Sequence, residues 1–265
     1  MASHDHNRRA WDALVRQQQR FTRPARDEDF RDPLAAVDAG GWLGGSIAGQ
    51  RVLCLAAGGG RQSALYAAAG AVVTVVDISA EMLALDREVA AERGLDLRIV
   101  QGSMDDLAML PAGGFDIVIH PVSTCYVADV QRVYREVARV TVAGGLYISQ
   151  HKTPASLQTS VDPSPGGYVL VEPYYRSGPL PEVLGSLHRE PGTLEYLHRW
   201  EDLLGGMCRA GFAIEDFIEP LHAKPEAEPG SFGHRSRYVA PYVRVKARRI
   251  SSAAAAPAAR VWLPE

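Results

Sequence analysis

The sequence predicts an α/β fold built on a doubly wound, mostly parallel sheet. Three observations carry that prediction. Short, largely uncharged apolar runs recur near residues 52–55, 72–76, 97–100, 115–119 and 145–149, as buried parallel strands do. Helical patterns near 62–69, 80–93 and 129–140 alternate with them, and such alternation implies βαβ units with helices on both faces. The first run leads straight into Gly58, Gly59 and Gly60, and the second ends on Asp77. In an open α/β sheet, ligands bind outside the carboxyl ends of the strands, where both features fall.

The chain begins with NRRAWDALVRQQQRFT, residues 7–22, which reads as an amphipathic helix capped by Asn7, with Trp11, Leu14 and Val15 on one face. Asp32-Pro33 opens a short helix that ends near Gly40-Gly41. Next comes Arg51 to Asp77: strand, glycine turn, helix, strand, acid. The glycines let the backbone approach a ligand closely, and the helix start offers unpaired N–H groups. An acid ending the second strand is placed to accept hydrogen bonds from a ribose diol. An adenosine-containing cofactor is therefore expected. Ser79 caps the next helix, with Glu81 in its first turn and Met82 and Leu83 facing inward.

Residues 150–195 break the rhythm. They are rich in Pro, Gly and Tyr and too long for a plain connection of ~2–6 residues. The four tyrosines Tyr168, Tyr174, Tyr175 and Tyr196 argue for an ordered cap, with YVLVEPYY as a small strand pair. A helix is expected over 194–210, then strands over 212–218 and 238–245. The basic run 244–249 reads as a solvated edge strand, and 251–265 as a loose alanine-rich tail. The expected organisation is an N-terminal helical lid (1–45), a cofactor-binding core (46–150), a substrate cap (151–195), the rest of the core (196–250) and the tail.

The 265 residues suit one α/β domain with insertions. A net charge of −3 gives no bulk attraction to nucleic acid, which is not expected as a partner. The longest uncharged window, 62–76, is too short for a span of ~20 residues, so no membrane partner is expected. No apolar signal core stands at the N-terminus, and Cys54, Cys125 and Cys208 are odd in number and far apart. Reduced thiols in a cytoplasmic protein are expected, with no disulfide frame.

The glycine frame separates two cofactors. A dinucleotide Gly-x-Gly-x-x-Gly frame falls on Ala56, Gly58 and Arg61, and arginine obstructs the close packing that the third glycine serves. Ala56-Ala57-Gly58-Gly59-Gly60 instead resembles the first motif of the class I S-adenosylmethionine-dependent methyltransferases. The resemblance continues through VVDISAEMLALDRE (75–88), QGSMDDL (101–107), FDIVIHPVSTCYVADV (115–130) and VAGGLYIS (142–149), in the family's order and at its spacing. It implies a Rossmann-like sheet ending in an antiparallel strand pair, and S-adenosylmethionine as cofactor. Implied cofactor contacts are Ala56, Ala57, Gly58 and Gly60 in the loop, Asp77 on the ribose, Ile78 and Met82, then Ser103, Met104 and Asp105 about the adenine, and His120. Three positions depart from the family: the acid of the first strand is Cys54, so its contact with the loop must come from elsewhere, the first glycine is Ala56, and the adenine-facing acid after the third strand is Ser103, leaving Asp105 or the serine hydroxyl to serve the adenine amine.

Methyl transfer from a sulfonium needs alignment and exclusion of water, and a hydroxyl nucleophile also needs a base. His120 and His151, at the ends of the fourth and fifth strands, are the candidate bases. Trp11 on the lid, Tyr126, His151 and Tyr174 on the cap are the expected acceptor contacts. The loop His120-Pro121-Val122-Ser123 keeps only the first proline of the Asp/Asn-Pro-Pro-Tyr loop of amino-methylating enzymes, which argues against DNA-base or glutamine methylation. It offers no acids for Mg2+, so no metal is expected. The leading expectation is O- or N-methylation of a small-molecule acceptor, with a homodimer left open. An RNA or protein methyltransferase, or a non-catalytic S-adenosylmethionine-binding protein, stays open beside it.

Overall fold

The computed structural model describes residues 2–183 and 188–250. Its strands are β1 Arg51–Leu55, β2 Val72–Asp77, β3 Leu97–Gln101, β4 Phe115–His120, β5 Thr141–Lys152, β6 Phe212–Ile218 and β7 Tyr242–Arg249. They form one sheet in the order β3-β2-β1-β4-β5-β7-β6. The first five pair in parallel, and β7 pairs antiparallel with both β5 and β6. The chain reverses its winding between β1 and β4, so a crevice opens above their carboxyl ends.

The principal helices are α1 Ala2–Arg16, α2 Pro33–Val37, α3 Gln62–Ala68, α4 Ala80–Arg93, α5 Val130–Val140 and α6 Pro154–Gln158. Two apolar clusters sandwich the sheet. On one face Leu53, Leu55, Val118 and Tyr147 pack with Val133, Tyr134 and Val137 of α5. On the other Val52, Cys54, Ile117 and Ile119 pack with Tyr66 of α3 and Leu83 of α4. Each fully buried side chain of this size stabilises by about 1.5–3 kcal/mol. Cys54 is one of these packing residues, and burial pushes its thiol up.

Several boundaries differ from expectation, each for a local reason. The first helix starts at residue 2 and stops at Arg16, where Gln18 adopts a positive φ of 52°. Asn7 therefore lies within the helix and does not cap it. β5 begins at Thr141 because Gly144 and Gly145 absorb a register shift opposite Phe115 and Ile117. YVLVEPYY forms only an isolated bridge between Thr159 and Leu170, not a strand pair. Residues 194–199 are extended: Tyr196 donates its N–H to Cys125 and Leu180 donates to Glu195. The helix follows only over Glu201–Gly205, wide-wound, and Gly206–Arg209. The basic strand β7 is interior, since β6 covers its outer side. Its Val243, Val245 and Ala247 are fully buried, and Glu215 pairs with Lys246 and Arg248. The tail expected over 251–265 lies outside the described residues.

Candidate active site

A cavity of about 890 Å³ opens over the crevice. Its floor at one end is the glycine loop. Ala56 enters the loop with φ 47°, a left-handed conformation that costs a non-glycine residue about 1–2 kcal/mol. Gly58 donates its N–H to Asp77 Oδ2 at 3.0 Å, and a Cβ there would stand 2.9 Å from Met82 Cβ and 3.0 Å from that oxygen. Glycine is needed here because the acid and the loop touch. The other oxygen of Asp77 accepts the Ser79 N–H at 2.9 Å. Burial pushes the Asp77 carboxyl up to about 6, against these hydrogen bonds.

Asp86 on α4 takes the place that Cys54 leaves open. Its carboxylate accepts N–H bonds from Gly59 (3.0 Å) and Gly60 (3.1 Å) and the hydroxyl of Ser63. The side chain is fully buried, and burial pushes its carboxyl up while these donors pull it down. Sequence reasoning missed Asp86. The signal was an acid three residues after Leu83 and three before Val89, on the apolar face of α4.

Ala56, Ala57, Gly58, Asp77, Ile78, Met82, Ser103, Met104 and His120 all line the cavity. Two expected cofactor contacts do not. Gly60 packs into α4, where a Cβ would meet Leu85 O at 2.8 Å, and its φ is 68°. Asp105 lies behind Ser103, accepting its hydroxyl at 2.5 Å and meeting His4 Nε2 at 3.2 Å.

The structure separates the two histidines. His120 lines the cavity, with Nδ1 2.8 Å from Tyr147 Oη and Nε2 2.7 Å from Ser123 Oγ. His151 lies outside the lining and is fully buried, with Nδ1 on Thr124 Oγ1 and Nε2 on Ser149 Oγ, both at 2.8 Å. Its expected contact with the acceptor is corrected: the pleat of β5 turns it into the packed face with Tyr134. Burial pushes both imidazoles down to about 3, so both are neutral. Tyr174 is corrected likewise. It packs edge-on against exposed Tyr175 on the outside of the cap.

Trp11 and Tyr126 line the cavity and meet edge to face, with centroids 5.6 Å apart. Asn7 ties α1 to both sides of the site. It donates to Tyr126 O (2.9 Å) and Leu194 O (3.0 Å) and accepts the Leu194 N–H (2.7 Å). Asp12 accepts the Ser79 hydroxyl at 2.6 Å. The cap adds a residue that no pattern in its sequence announced: Glu190 accepts the Tyr126 hydroxyl at 2.6 Å and pairs with Lys152 Nζ at 2.7 Å. Lys152 also meets Glu195 at 2.7 Å. Burial opposes the ammonium, and the two carboxylates outweigh it and push it up.

Among the described residues, no three His, Cys, Asp or Glu side chains gather as a metal site, and no helix is long and apolar enough to cross a membrane.

Comparison with known proteins agrees with this geometry. Residues 53–149 match the family described as Methyltransferase domain. The Bacillus subtilis uncharacterized methyltransferase YbaJ is 38% identical over 177 residues, which span 65% of this chain and 69% of that protein. A ubiquinone biosynthesis O-methyltransferase of Cronobacter sakazakii is 36% identical over 101 residues, spanning 38% of this chain and 42% of that enzyme. The crystal structure of an S-adenosylmethionine dependent methyltransferase from Mesorhizobium loti superposes with a TM-score of 0.60 at 23% identity, covering 77% of this chain and 93% of that one. A Methanosarcina mazei structure described as SAM-dependent methyltransferases gives 0.54 at 16% identity, covering 76% and 93%. Likeness at these identities speaks to the fold.

Proposed function

The chain belongs to the class I S-adenosylmethionine-dependent methyltransferases, and from that premise we propose that its acceptor is a small molecule methylated on oxygen or nitrogen inside the cavity. The observation that carries this reading is the single continuous cavity of about 890 Å³, which runs from Asp77 and Gly58 past His120 and Tyr126 to Glu190, Phe232 and Arg244. That volume suits a cofactor and a compact acceptor together. Helix α1 and the cap hold it under cover through Asn7, which restricts entry by a folded macromolecule. The O-methyltransferase relatives support oxygen as the acceptor atom. β7 lies inside the sheet with Lys246 and Arg248 paired to Glu215, which weighs against a free basic edge strand for RNA.

The residues present fit the cofactor. Asp77 already brings a carboxylate to the loop at Gly58, where a Cβ would fill the approach. Asp77 would hold the ribose hydroxyls, and Ile78, Ser103 and Met104 would border the adenine. Bound S-adenosylmethionine supplies a methyl group on a sulfonium, activated without help from an acid. The protein contributes position and dryness. Trp11 and Tyr126 wall the acceptor side, and Glu190 fixes the Tyr126 hydroxyl. His120 keeps its neutral ring at the cavity wall through Tyr147 and Ser123. Of the two histidines it is the one on the cavity lining, and because both its nitrogens are bonded and burial makes it a weak base, alignment supplies most of the rate.

The test is S-adenosylhomocysteine formation with a panel of small phenols, alcohols and amines, beside protein and RNA substrates. Turnover confined to small acceptors supports the reading. Transfer only to protein or RNA overturns it.

A further inference from the structure

Four acids line the cavity, and each already has partners. Asp29 pairs with Arg26. The two oxygens of Asp38 accept the N–H groups of Trp42 (2.8 Å) and Leu43 (2.9 Å). Asp77 holds Gly58 and Ser79. Glu190 holds Lys152. Four arginines on the same lining have no such match: among the described residues, no acid forms an ion pair with Arg20, Arg23, Arg61 or Arg244, and of these Arg20 and Arg244 stand beside His222. Arg244 is half-buried and donates from Nε to Gln150 Oε1 at 2.9 Å, while Arg20 is exposed at the cavity rim.

His222 lines the same part of the cavity and feels both charges. Its ring stands edge-on to Phe232 and Tyr242, with centroids 5.5 Å away in each case, and its Nε2 is a buried polar atom with no hydrogen-bond partner. Burial, then Arg244 and Arg20, depress its pKa, so both guanidiniums act on this ring. Tyr66 feels both Arg244 and Asp38, and Asp38 is occupied as described. An unpaired guanidinium and an orphaned ring nitrogen on one apolar-walled pocket leave a positive site waiting for an acceptor of hydrogen bonds.

The location fits the substrate. From Asp77 on β2 to Arg244 on β7 the sheet order crosses four strand spacings, about 19 Å at ~4.8 Å each. The ribose would sit at the Asp77 end of that distance, which would put Arg244 on the acceptor side of the reacting sulfur. Arg23 and Arg61 belong to the other end, where Ala25 donates its N–H to Gly60 O at 3.3 Å.

Resting on the small-molecule reading above, we infer that Arg244, Arg20 and His222 form an anion subsite and that the methyl acceptor carries a carboxylate. Phe232 and Tyr242 flank the subsite and favour an aromatic or otherwise flat body behind that carboxylate. The planar fork of Arg244, held by Gln150, matches the two carboxylate oxygens.

The test uses benzoate and its neutral isostere benzyl alcohol, titrated by calorimetry and by imidazole NMR into protein saturated with S-adenosylhomocysteine. Benzoate is expected to bind at least fivefold tighter than benzyl alcohol and to raise the His222 pKa by about 1. Arg244→Gln is expected to abolish both effects, while its affinity for S-adenosylhomocysteine stays within twofold of the parent, which also shows that it folds. Equal binding of the two probes overturns the inference. So does a benzoate signal that S-adenosylhomocysteine displaces together with a tenfold loss of S-adenosylhomocysteine affinity in Arg244→Gln, because the carboxylate served is then the cofactor's. Failure of the methyltransferase reading has a separate signature: benzoate binds selectively, and no small acid is methylated.

Discussion

Gly59 gives its backbone N–H to Asp86, 27 residues further along the chain, at 3.0 Å. The loop that meets the cofactor is thus fastened from the second helix of the core and not from the first strand, where the chain carries Cys54. Asp86→Ala takes the acceptor from the Gly60 N–H and the Ser63 hydroxyl in a buried site and leaves Gly59 only its 3.1 Å bond to Met82 O. A loss of about 2–4 kcal/mol in urea unfolding is expected, with cofactor affinity at least tenfold weaker by calorimetry. Unchanged affinity in a folded variant would count against this role.

Asp77 gives the cofactor affinity a pH dependence with a definite sign. Its folded pKa is raised to about 6, so the ionised form that accepts ribose hydroxyls fills as pH rises through 6. Affinity for S-adenosylhomocysteine should be about tenfold weaker at pH 5 than at pH 7.5. The raised pKa also means that this group's ionisation disfavours folding: its contribution to stability falls between about pH 4 and 6 and is level above that. Asp77→Asn should bind weakly at both pH values, with the slope gone.

His151 and His120 should behave differently when replaced. His151→Asn is expected to lower stability by about 1–3 kcal/mol and leave kcat within a fewfold, because the ring has no face on the cavity. His120→Asn should lower kcat more than KM. Each buried imidazole has a folded pKa depressed to about 3, so stability falls as pH drops below ~6.5, by about 1.4 kcal/mol per pH unit and ring. Each substitution should remove its own share of that slope.

Lys152 holds two carboxylates of the cap, and its side chain is 3% exposed. Lys152→Ala leaves Glu190 without a cation and Glu195 with Arg189 alone, and should cost about 3–5 kcal/mol. Hydrogen exchange should show the region 188–195 opening before the rest of the domain.

Asn7 is the corresponding fastening for α1. Asn7→Ala strands the Leu194 N–H and two carbonyls. A loss of about 2–3 kcal/mol is expected, together with a raised KM for the acceptor and faster exchange in α1.

The core was legible because its signals are local. Apolar runs, the glycine turn and the Ser79 cap each report on neighbours within a few residues, and α4 was found at Ala80–Arg93 as expected. The cap and lid were not, because their order comes from distant partners. Asn7 resembled a cap residue until its partners appeared at Tyr126 and Leu194. Likewise, 244–249 read as an edge because its alternation is the same whether one neighbour or two cover the strand. His151 and Tyr174 failed for a related reason: position at a strand end or in a tyrosine-rich loop does not fix which way a side chain turns. Asp86 was within reach, as a charge on an apolar helix face that required a buried donor.

The most direct test of the account is a crystal structure with S-adenosylhomocysteine bound. The ribose hydroxyls should lie about 3 Å from the Asp77 carboxylate, with the sulfur facing the space between His120 and Tyr126 and open volume beyond it toward Arg244. A product molecule bound away from Asp77, or a closed wall between the sulfur and Tyr126, would contradict it.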